Sequence, residues 1–210
     1  MKTTIPAIEG GIPTRDTFLS FHQALLGEEE ESSVIQTLRS GWLTTGPKTK
    51  QFESEFAGYA KSKHAVAVNS CTAALHLALV AAGIGKGDEV ITTPMTFCAT
   101  ANVIVHVQAT PVFVDVDPVT LNIDVNKIEE KITHGGATSK TRAIIPVHYA
   151  GCPCEMDEIL DLAKKYNLVV IEDAAHATET EYHGKKVGSI GDMAAFSFYA
   201  TKNLTTAEGG

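Results

Sequence analysis

The chain has 210 residues, and its 17 lysines and arginines are outnumbered by 25 aspartates and glutamates, which gives a net charge of −8. Apolar residues make up 44% and charged residues 20%, an ordinary globular composition that excludes a disordered, collagen-like or coiled-coil chain. The acidic balance, without a long basic run, argues against a nucleic-acid partner.

The first sixty residues are predicted to form helices and a loop. Residues 28–39 begin with a run of glutamates, carry apolar residues at helical spacing and include an arginine near their end, which predicts a helix. Residues 42–47 are rich in turn-forming residues and predict a loop. Residues 50–59 place three aromatic side chains on one helical face and predict a second helix.

From residue 64 onward, short apolar runs alternate with helical stretches. Strands are predicted over 64–69, 89–92, 111–115, 141–147, 168–172 and 194–198, and helices over 72–82, 97–107, 125–132 and 155–166. Several of the strand runs are apolar on both faces, as expected for strands between two helix layers. The alternation predicts an α/β domain with a mostly parallel sheet, whose ligands bind at the carboxyl ends of the strands.

Targeting signals and cysteine usage favour the cytoplasm. The N-terminus lacks the apolar segment and cleavage site of a signal peptide, and no stretch reaches the roughly 18–20 apolar residues of a membrane span. Cys71, Cys98, Cys152 and Cys154 could form two disulfides, but so few cysteines without a signal peptide are typical of a reducing compartment. Because a zinc site usually needs two cysteine clusters and the sequence has one C-x-C pair, we expect no metal.

A helix start after the first predicted strand is a candidate phosphate site. Residues 69–74 are small or hydroxylated, so backbone N–H groups there could approach an anion beside the positive end of the helix dipole. Ser70 or Thr72 could instead cap that helix, which would account for the hydroxylated residues without any bound ligand. The sequence has neither a Walker loop nor a G-x-G-x-x-G motif after a strand.

Two further strand ends carry candidate binding residues. Phe97 follows the second predicted strand and could stack on a flat ring, although a single aromatic residue is more often part of the core. Asp173 follows strand 168–172, where a buried carboxylate is costly unless it is paired or hydrogen-bonded. It could cap a helix, or it could face a cationic ligand with His176 as a nearby hydrogen-bonding partner.

Lys202 follows the last predicted strand in a stretch with few other charges. A desolvated lysine has a lowered pKa and attacks carbonyl groups, whereas an exposed loop lysine does neither. Each of these signals is weak alone. Together they supply an anion binder, a ring stacker, a carboxylate and an amine, the groups that hold pyridoxal 5′-phosphate (PLP) through its phosphate, ring, pyridine nitrogen and aldehyde.

Five segments, in order, resemble those of the DegT/DnrJ/EryC1/StrS sugar aminotransferases. They are 40–47 (SGWLTTGP), 69–76 (NSCTAALH), 94–97 (PMTF), 171–177 (IEDAAHA) and 191–210 (GDMAAFSFYATKNLTTAEGG). The resemblance implies a PLP-dependent transferase of fold-type I, a three-layer α/β/α structure with a mostly parallel sheet. It also implies transfer of an amino group from glutamate to a keto sugar linked to a nucleotide diphosphate, by a homodimer with shared active sites.

The resemblance also implies roles for individual residues. Lys202 matches the lysine that forms the Schiff base with PLP, and Asp173 matches the partner of the pyridine nitrogen. His176 matches a residue beside the cofactor ring, and Phe97 matches the aromatic residue stacked on that ring. The phosphate contacts of the family match Thr72, Ala73 and Ser197.

Other activities remain open beside this interpretation. A PLP-binding regulatory protein could keep the cofactor frame without transferring amines. Another fold-type I enzyme, such as a cysteine desulfurase or an aldolase-like lyase, would use the same lysine. A spectral half-reaction with glutamate separates these classes.

The resemblance divides the chain into two regions. Residues 1–60 are expected to form N-terminal helices and a loop on the substrate side, and residues 61–210 the PLP-binding large domain. Because related chains continue beyond the matched segments, we expect this large domain to be incomplete and the smaller C-terminal domain to be absent. We therefore expect the 210-residue chain alone to be inactive or poorly active.

Overall fold

A five-stranded parallel sheet forms the centre of the computed structural model, which describes residues 5–134 and 140–210. The strand order is β2-β1-β3-β4-β7, and a two-stranded antiparallel sheet, β5-β6, lies apart from it. The helices are α1 (Glu28–Ser40), α2 (Pro47–Ala60), α3 (Cys71–Ala81), α4 (Ala99–His106), α5 (Val125–His134) and α6 (Met156–Tyr166). The strands are β1 (Glu89–Thr92), β2 (Thr110–Phe113), β3 (Thr141–Ile144), β4 (Val169–Asp173), β5 (Glu181–Tyr182), β6 (Lys185–Lys186) and β7 (Met193–Ala195).

Helices cover both faces of the sheet. Val90 and Ile171 pack with α3 and α4 in one apolar cluster, whereas their sequence neighbours Ile91 and Val170 pack with α5 and α6 in another. Successive residues of a strand point to opposite faces, so strands with apolar residues at every position must be covered on both sides. The predicted three-layer α/β/α architecture with a parallel sheet is confirmed.

The predicted strand over 64–69 is wrong, because that segment is extended but joins no strand ladder. Val68 exchanges two backbone hydrogen bonds with Gly210, at 2.9 and 3.0 Å, and the Ala67 N–H donates to the Glu53 carboxylate. One pair of residues joined by backbone hydrogen bonds does not make a strand ladder, which needs several consecutive pairs. The other predicted strands and helices are present, with boundaries that move by up to three residues.

The segment that follows β7 is anchored by aromatic side chains of α2. The Phe56 ring meets the Phe196 and Phe198 rings edge to face, with centroids 5.0 and 5.2 Å apart, and Phe52 meets Phe198 at 5.2 Å. Such pairs stabilise by about 0.5–1.5 kcal/mol each beyond the area they bury. These contacts fix the chain on both sides of Ser197, and Lys202 follows in the turn after this segment.

Residues 1–4 and 135–139, which belong to the two predicted regions 1–60 and 61–210, lie outside the described residues. Within 5–134 and 140–210, every helix is too short or too polar to cross a membrane.

Candidate active site

The carboxyl ends of β1, β3, β4 and β7 border a cavity of about 390 Å³, which the first turn of α3 closes on one side. This is the edge of the sheet where the alternation of strands and helices predicts ligand binding. The predicted site residues that line this cavity are Thr72, Phe97, Asp173, His176, Ser197 and Lys202. Ala73, the remaining predicted residue, is absent from the lining.

Asp173, the last residue of β4, is buried at the bottom of the cavity. Its Oδ2 accepts a hydrogen bond from the Thr100 hydroxyl at 2.7 Å, and its Oδ1 accepts one from the Ala175 N–H at 3.2 Å. Burial raises the pKa of this carboxyl, although both hydrogen bonds and the nearby His148 and His176 lower it in part. No Lys, Arg or His of the described residues forms an ion pair with it, so the cavity holds a buried acid suited to a cationic ligand.

The alternative role of Asp173 as a helix cap is wrong. Residues 174–180 form turns, and no helix begins there. The hydrogen bond to the Ala175 N–H closes a local turn of the type that aspartate side chains commonly make.

Lys202 lies half-buried in the turn after β7, where its N–H donates to the Tyr199 carbonyl at 3.0 Å. Its ammonium group makes no ion pair with any carboxylate in the described part of the chain. Burial raises the pKa of the Cys71 thiol and the nearby charge of Lys202 partly opposes that shift, whereas burial and Lys202 together lower the pKa of His176. Lys202 therefore borders the cavity as a solvent-accessible amine, and the alternative of a fully exposed loop lysine is wrong.

His176 borders the cavity between Asp173 and Lys202. Its ring is partly enclosed by the cavity wall, although the residue as a whole is exposed. Burial lowers the pKa of the imidazole, the charge of Lys202 lowers it further, and Asp173 opposes the shift. The ring is consequently neutral at pH 7 and can donate one hydrogen bond and accept another.

The predicted phosphate end of the cavity is the first turn of α3. Ser70 caps this helix, because its Oγ accepts a hydrogen bond from the Ala73 N–H at 3.1 Å. The capping interpretation is therefore confirmed for Ser70, and the Ala73 amide is already engaged. Thr72 and the half-turn before it still present the positive end of the helix dipole to the cavity, so a phosphate contact there stays a prediction.

Phe97, in the loop after β1, and Ser197, in the segment after β7, both line the cavity. Phe97 is 77% exposed, so the alternative that it belongs to the core is wrong, and its ring is free to cover a flat ligand. Ser197 is buried, and its Oγ lies 3.5 Å from the Tyr199 N–H that donates to it. The stacking and phosphate roles of these two residues stay predictions.

Two residues that the sequence reasoning missed also shape the site. His148 is fully buried, and its Nδ1 accepts a hydrogen bond from the Cys154 N–H at 3.1 Å. Its Nε2 therefore carries the proton and donates to Glu172 Oε2 at 3.1 Å. His148 comes directly after the predicted strand 141–147, just as Asp173 follows strand 168–172, so inspection of every strand end would have found it.

Glu172 links this histidine to the loop before β7. Its Oε1 accepts hydrogen bonds from the N–H groups of Gly191 at 2.8 Å and Ile190 at 3.3 Å. The carboxylate is completely buried, and these donors compensate its desolvation. Glu172 thus fixes the path of the chain that leads into Ser197 and Lys202.

Comparison with known proteins places this site in a family. The model of the DegT/DnrJ/EryC1/StrS aminotransferase family matches residues 24–210. The chain is 61% identical over 196 residues to protein MJ1066 of Methanocaldococcus jannaschii, covering 93% of this chain and 50% of that protein. It is 57% identical over 199 residues to the spore coat polysaccharide biosynthesis protein SpsC of Bacillus subtilis, covering 95% of this chain and 50% of SpsC.

The fold agrees with that of solved relatives. Spr1654 from Streptococcus pneumoniae, whose structures include a PLP form and a PMP form, is 42% identical to this chain. The PLP form superimposes with a TM-score of 0.84 over 91% of this chain and 52% of its own. The chain thus spans about half the length of the relatives that it matches.

Proposed function

Because the chain belongs to the DegT/DnrJ/EryC1/StrS aminotransferase family, whose members depend on PLP, we propose that it transfers an amino group from glutamate to a keto sugar linked to a nucleotide diphosphate. The transfer would serve the biosynthesis of amino sugars or cell-surface polysaccharides. SpsC, which shares 57% identity, is named for such a role.

The observation that carries this proposal is the convergence on one cavity of six residues to which the family resemblance assigns cofactor contacts. They come from the start of α3, from the loop after β1, from the end of β4 and from the segment after β7. The cavity joins a helix N-terminus, an exposed aromatic ring, a buried carboxylate and a half-buried amine. This set matches the phosphate, ring, pyridine nitrogen and aldehyde of PLP.

The charges of the cavity fit this cofactor. Asp173 lacks a cationic partner among the described residues, and a protonated pyridine nitrogen would supply one. Thr72 and Ser197 would hold the phosphate, Phe97 would cover one face of the ring, and His176 would lie beside it. Ala73 would contribute its backbone, although its N–H is bonded to Ser70 in the present geometry.

Bound PLP supplies an electrophilic carbon for amines and a cationic ring that accepts electrons when a proton leaves the adjacent carbon. Asp173 would stabilise the positive charge of that ring. Lys202 Nζ would hold the cofactor, and its amine would serve as the base that removes the proton from the α-carbon of glutamate and later returns one. The neutral His176 would lie beside the ring.

The partners and the compartment form part of the same proposal. We expect a homodimer with shared active sites, because fold-type I aminotransferases of this family are expected to complete each site with residues of the second subunit. We also expect the cytoplasm, since all four cysteines are present as free thiols, the state that a reducing compartment maintains. The predicted division into residues 1–60 and 61–210, the first on the substrate side, belongs to the proposal too.

A glutamate half-reaction tests the proposed function. Purified protein loaded with PLP is mixed with glutamate alone, and the cofactor absorbance and 2-oxoglutarate are followed. We expect one 2-oxoglutarate per active site and a matching loss of the PLP band. A panel of keto sugars on nucleotide diphosphates then identifies the acceptor.

The alternatives give different results in the same experiment. A PLP-binding regulatory protein retains the band and releases no 2-oxoglutarate. A cysteine desulfurase releases alanine from cysteine, and a lyase cleaves its substrate without net amino transfer. The 210-residue chain, which spans about half of its relatives, is expected to react poorly by itself, so a fast reaction by that species would contradict this part of the proposal.

A further inference from the structure

A short row of hydroxyl groups is hydrogen-bonded to the Asp173 carboxylate. Thr100, in the first turn of α4, is completely buried, and its Oγ1 lies 2.7 Å from Asp173 Oδ2. The Thr96 hydroxyl lies 2.7 Å from the Thr100 hydroxyl. Nothing in the proposed catalytic steps uses either threonine.

The donors in this row follow from simple counting. A threonine hydroxyl has one proton, and the Thr100 hydroxyl donates its proton to Asp173 Oδ2. Thr96 must therefore donate to Thr100. The Phe97 carbonyl is 3.2 Å from the same Thr100 oxygen, a longer contact to an uncharged acceptor, so it does not take the proton.

We propose that Thr100, supported by Thr96, is a positioning residue that fixes the rotation of the Asp173 carboxylate toward the pyridine nitrogen of PLP. The Ala175 N–H holds Oδ1, and the Thr100 hydroxyl holds Oδ2, so the carboxylate plane is set by two donors from different elements. Each oxygen keeps a lone pair for the ligand. The Thr100 N–H also donates to the Phe97 carbonyl at 3.1 Å, so Thr100 couples the bottom of the cavity to its aromatic wall. This inference rests on the proposed function only for the identity of the ligand.

Several charged and titratable groups lie around Asp173, so the test must separate their electrostatic effects from the effect of the Thr100 hydrogen bond. Cys71 of α3, His148 after β3, His176 after β4 and Lys202 after β7 all act on it or on one another. The Thr100 hydroxyl is uncharged, so replacing it changes no net charge near the carboxylate. An effect of that replacement on Asp173 therefore reports the hydrogen bond.

Thr100→Val removes the hydroxyl and keeps the shape of the side chain. Thr92→Val is the matched control, because Thr92 is also completely buried and donates one hydrogen bond, to the Ile145 carbonyl at 2.9 Å, outside the cavity. Thr100→Ser restores the hydroxyl. The two measurements are the titration of the Asp173 carboxyl in the cofactor-free chain, by NMR of ¹³C-labelled aspartate, and the dissociation constant for PLP. Asp173→Asn assigns the NMR signal.

We expect Thr100→Val to move the Asp173 titration to higher pH and to weaken PLP binding about tenfold to a hundredfold, the loss of one hydrogen bond to a charged group. Thr100→Ser and Thr92→Val should match the unsubstituted chain within about twofold. Should Thr100→Val fail to fold, Thr96→Val gives a smaller shift of the titration in the same direction, because it removes only the supporting donor.

Equal titrations and equal PLP affinities for Thr100→Val and Thr92→Val would overturn the inference. The titration needs no cofactor, so it decides the role of Thr100 even for a chain that binds no PLP. Failure of the unsubstituted chain to bind PLP would instead count against the proposed function. The two failures are therefore distinguishable.

Discussion

At the scale of single residues, Lys202 is the amine on which the proposed reaction depends. It lines the cavity as a half-buried side chain without an ion-pair partner in the described residues. We expect Lys202→Ala to abolish turnover and the visible band of bound PLP, because no other lysine among residues 5–134 and 140–210 lines the cavity. Lys164→Ala, on the exposed side of α6, is the control and should be unchanged. Full activity of the Lys202 variant would refute the assignment.

Asp173 links the stability of the protein to pH. Burial raises the pKa of its carboxyl above the unfolded value, so the folded protein favours the protonated acid. The stabilisation that this acid contributes is present below the unfolded pKa, about 3.9, and is lost as the pH rises through the folded pKa. Asp173 therefore contributes less to the stability of the cofactor-free chain at neutral pH than it does in acid.

Asp173→Asn removes the negative charge that the buried carboxyl acquires as the pH rises, but its NH₂ group would face either the Thr100 hydroxyl or the Ala175 N–H, both of which are donors. We expect the stability of the variant relative to the unsubstituted chain to be more favourable at pH 7 than at pH 4, because only the unsubstituted chain loses stability as Asp173 ionises. Urea unfolding at the two pH values measures this difference. We also expect the variant to bind PLP more weakly and to remove the proton from glutamate more slowly. Asp161→Asn, on the surface of α6, should change neither property. Undiminished glutamate rates would contradict the role of Asp173.

At the scale of elements, the crossover from β4 to β7 depends on the buried Glu172 carboxylate. It accepts from the Gly191 amide on one oxygen and from His148 Nε2 on the other. The Cys154 N–H occupies His148 Nδ1, so the histidine cannot change its tautomer to become an acceptor. A glutamine at position 172 would therefore place its NH₂ group against a donor in either orientation.

We accordingly expect both Glu172→Ala and Glu172→Gln to destabilise the chain, by about 3 and about 2 kcal/mol, since each leaves buried donors unpaired. The free energy of urea unfolding measures these costs, with the exposed Glu9→Gln as the control. A Glu172→Gln chain as stable as the control would show that the carboxylate is dispensable there.

Elements with strong local signals could be predicted from the sequence. Helix α6, for example, was placed within one residue because its apolar spacing and terminal charges agree. The sequence could not show that residues 64–69 form no strand. Their composition suits a strand, but a strand forms only where a neighbouring strand pairs with it. Strand 194–198 ends early because the Phe198 N–H donates to the Gly209 carbonyl instead of a neighbouring strand.

The candidate site was predictable where strand ends carry unusual residues, as at Asp173. Thr100 was not, because a threonine within an apolar helix gives no sign of which acceptor its hydroxyl will meet. Its partner is 73 residues away in the sequence and becomes a neighbour only when α4 packs beside β4. The same holds for Glu172, whose partners belong to two separate loops.

At the scale of the whole molecule, the apolar face of α1 suggests where a second subunit binds. Val34, Ile35 and Leu38 share one helical face and are 61%, 44% and 60% exposed, and Trp42 beyond the helix is 56% exposed. Exposed apolar patches of this kind mark interaction surfaces. In the proposed homodimer this face is covered by the partner.

Leu38→Lys tests the proposed dimer. A charge placed in an apolar interface is costly to desolvate, so we expect the dissociation constant of the dimer to rise by about a hundredfold or more. Val119→Lys introduces the same charge at a side chain that is 87% exposed in a turn and should leave association unchanged. Sedimentation equilibrium over a range of concentrations measures both. A monomeric unsubstituted chain would contradict the proposed dimer, because the apolar face of α1 would then be stable in water without a partner. Equal association of the two variants would show that the dimer does not use this face.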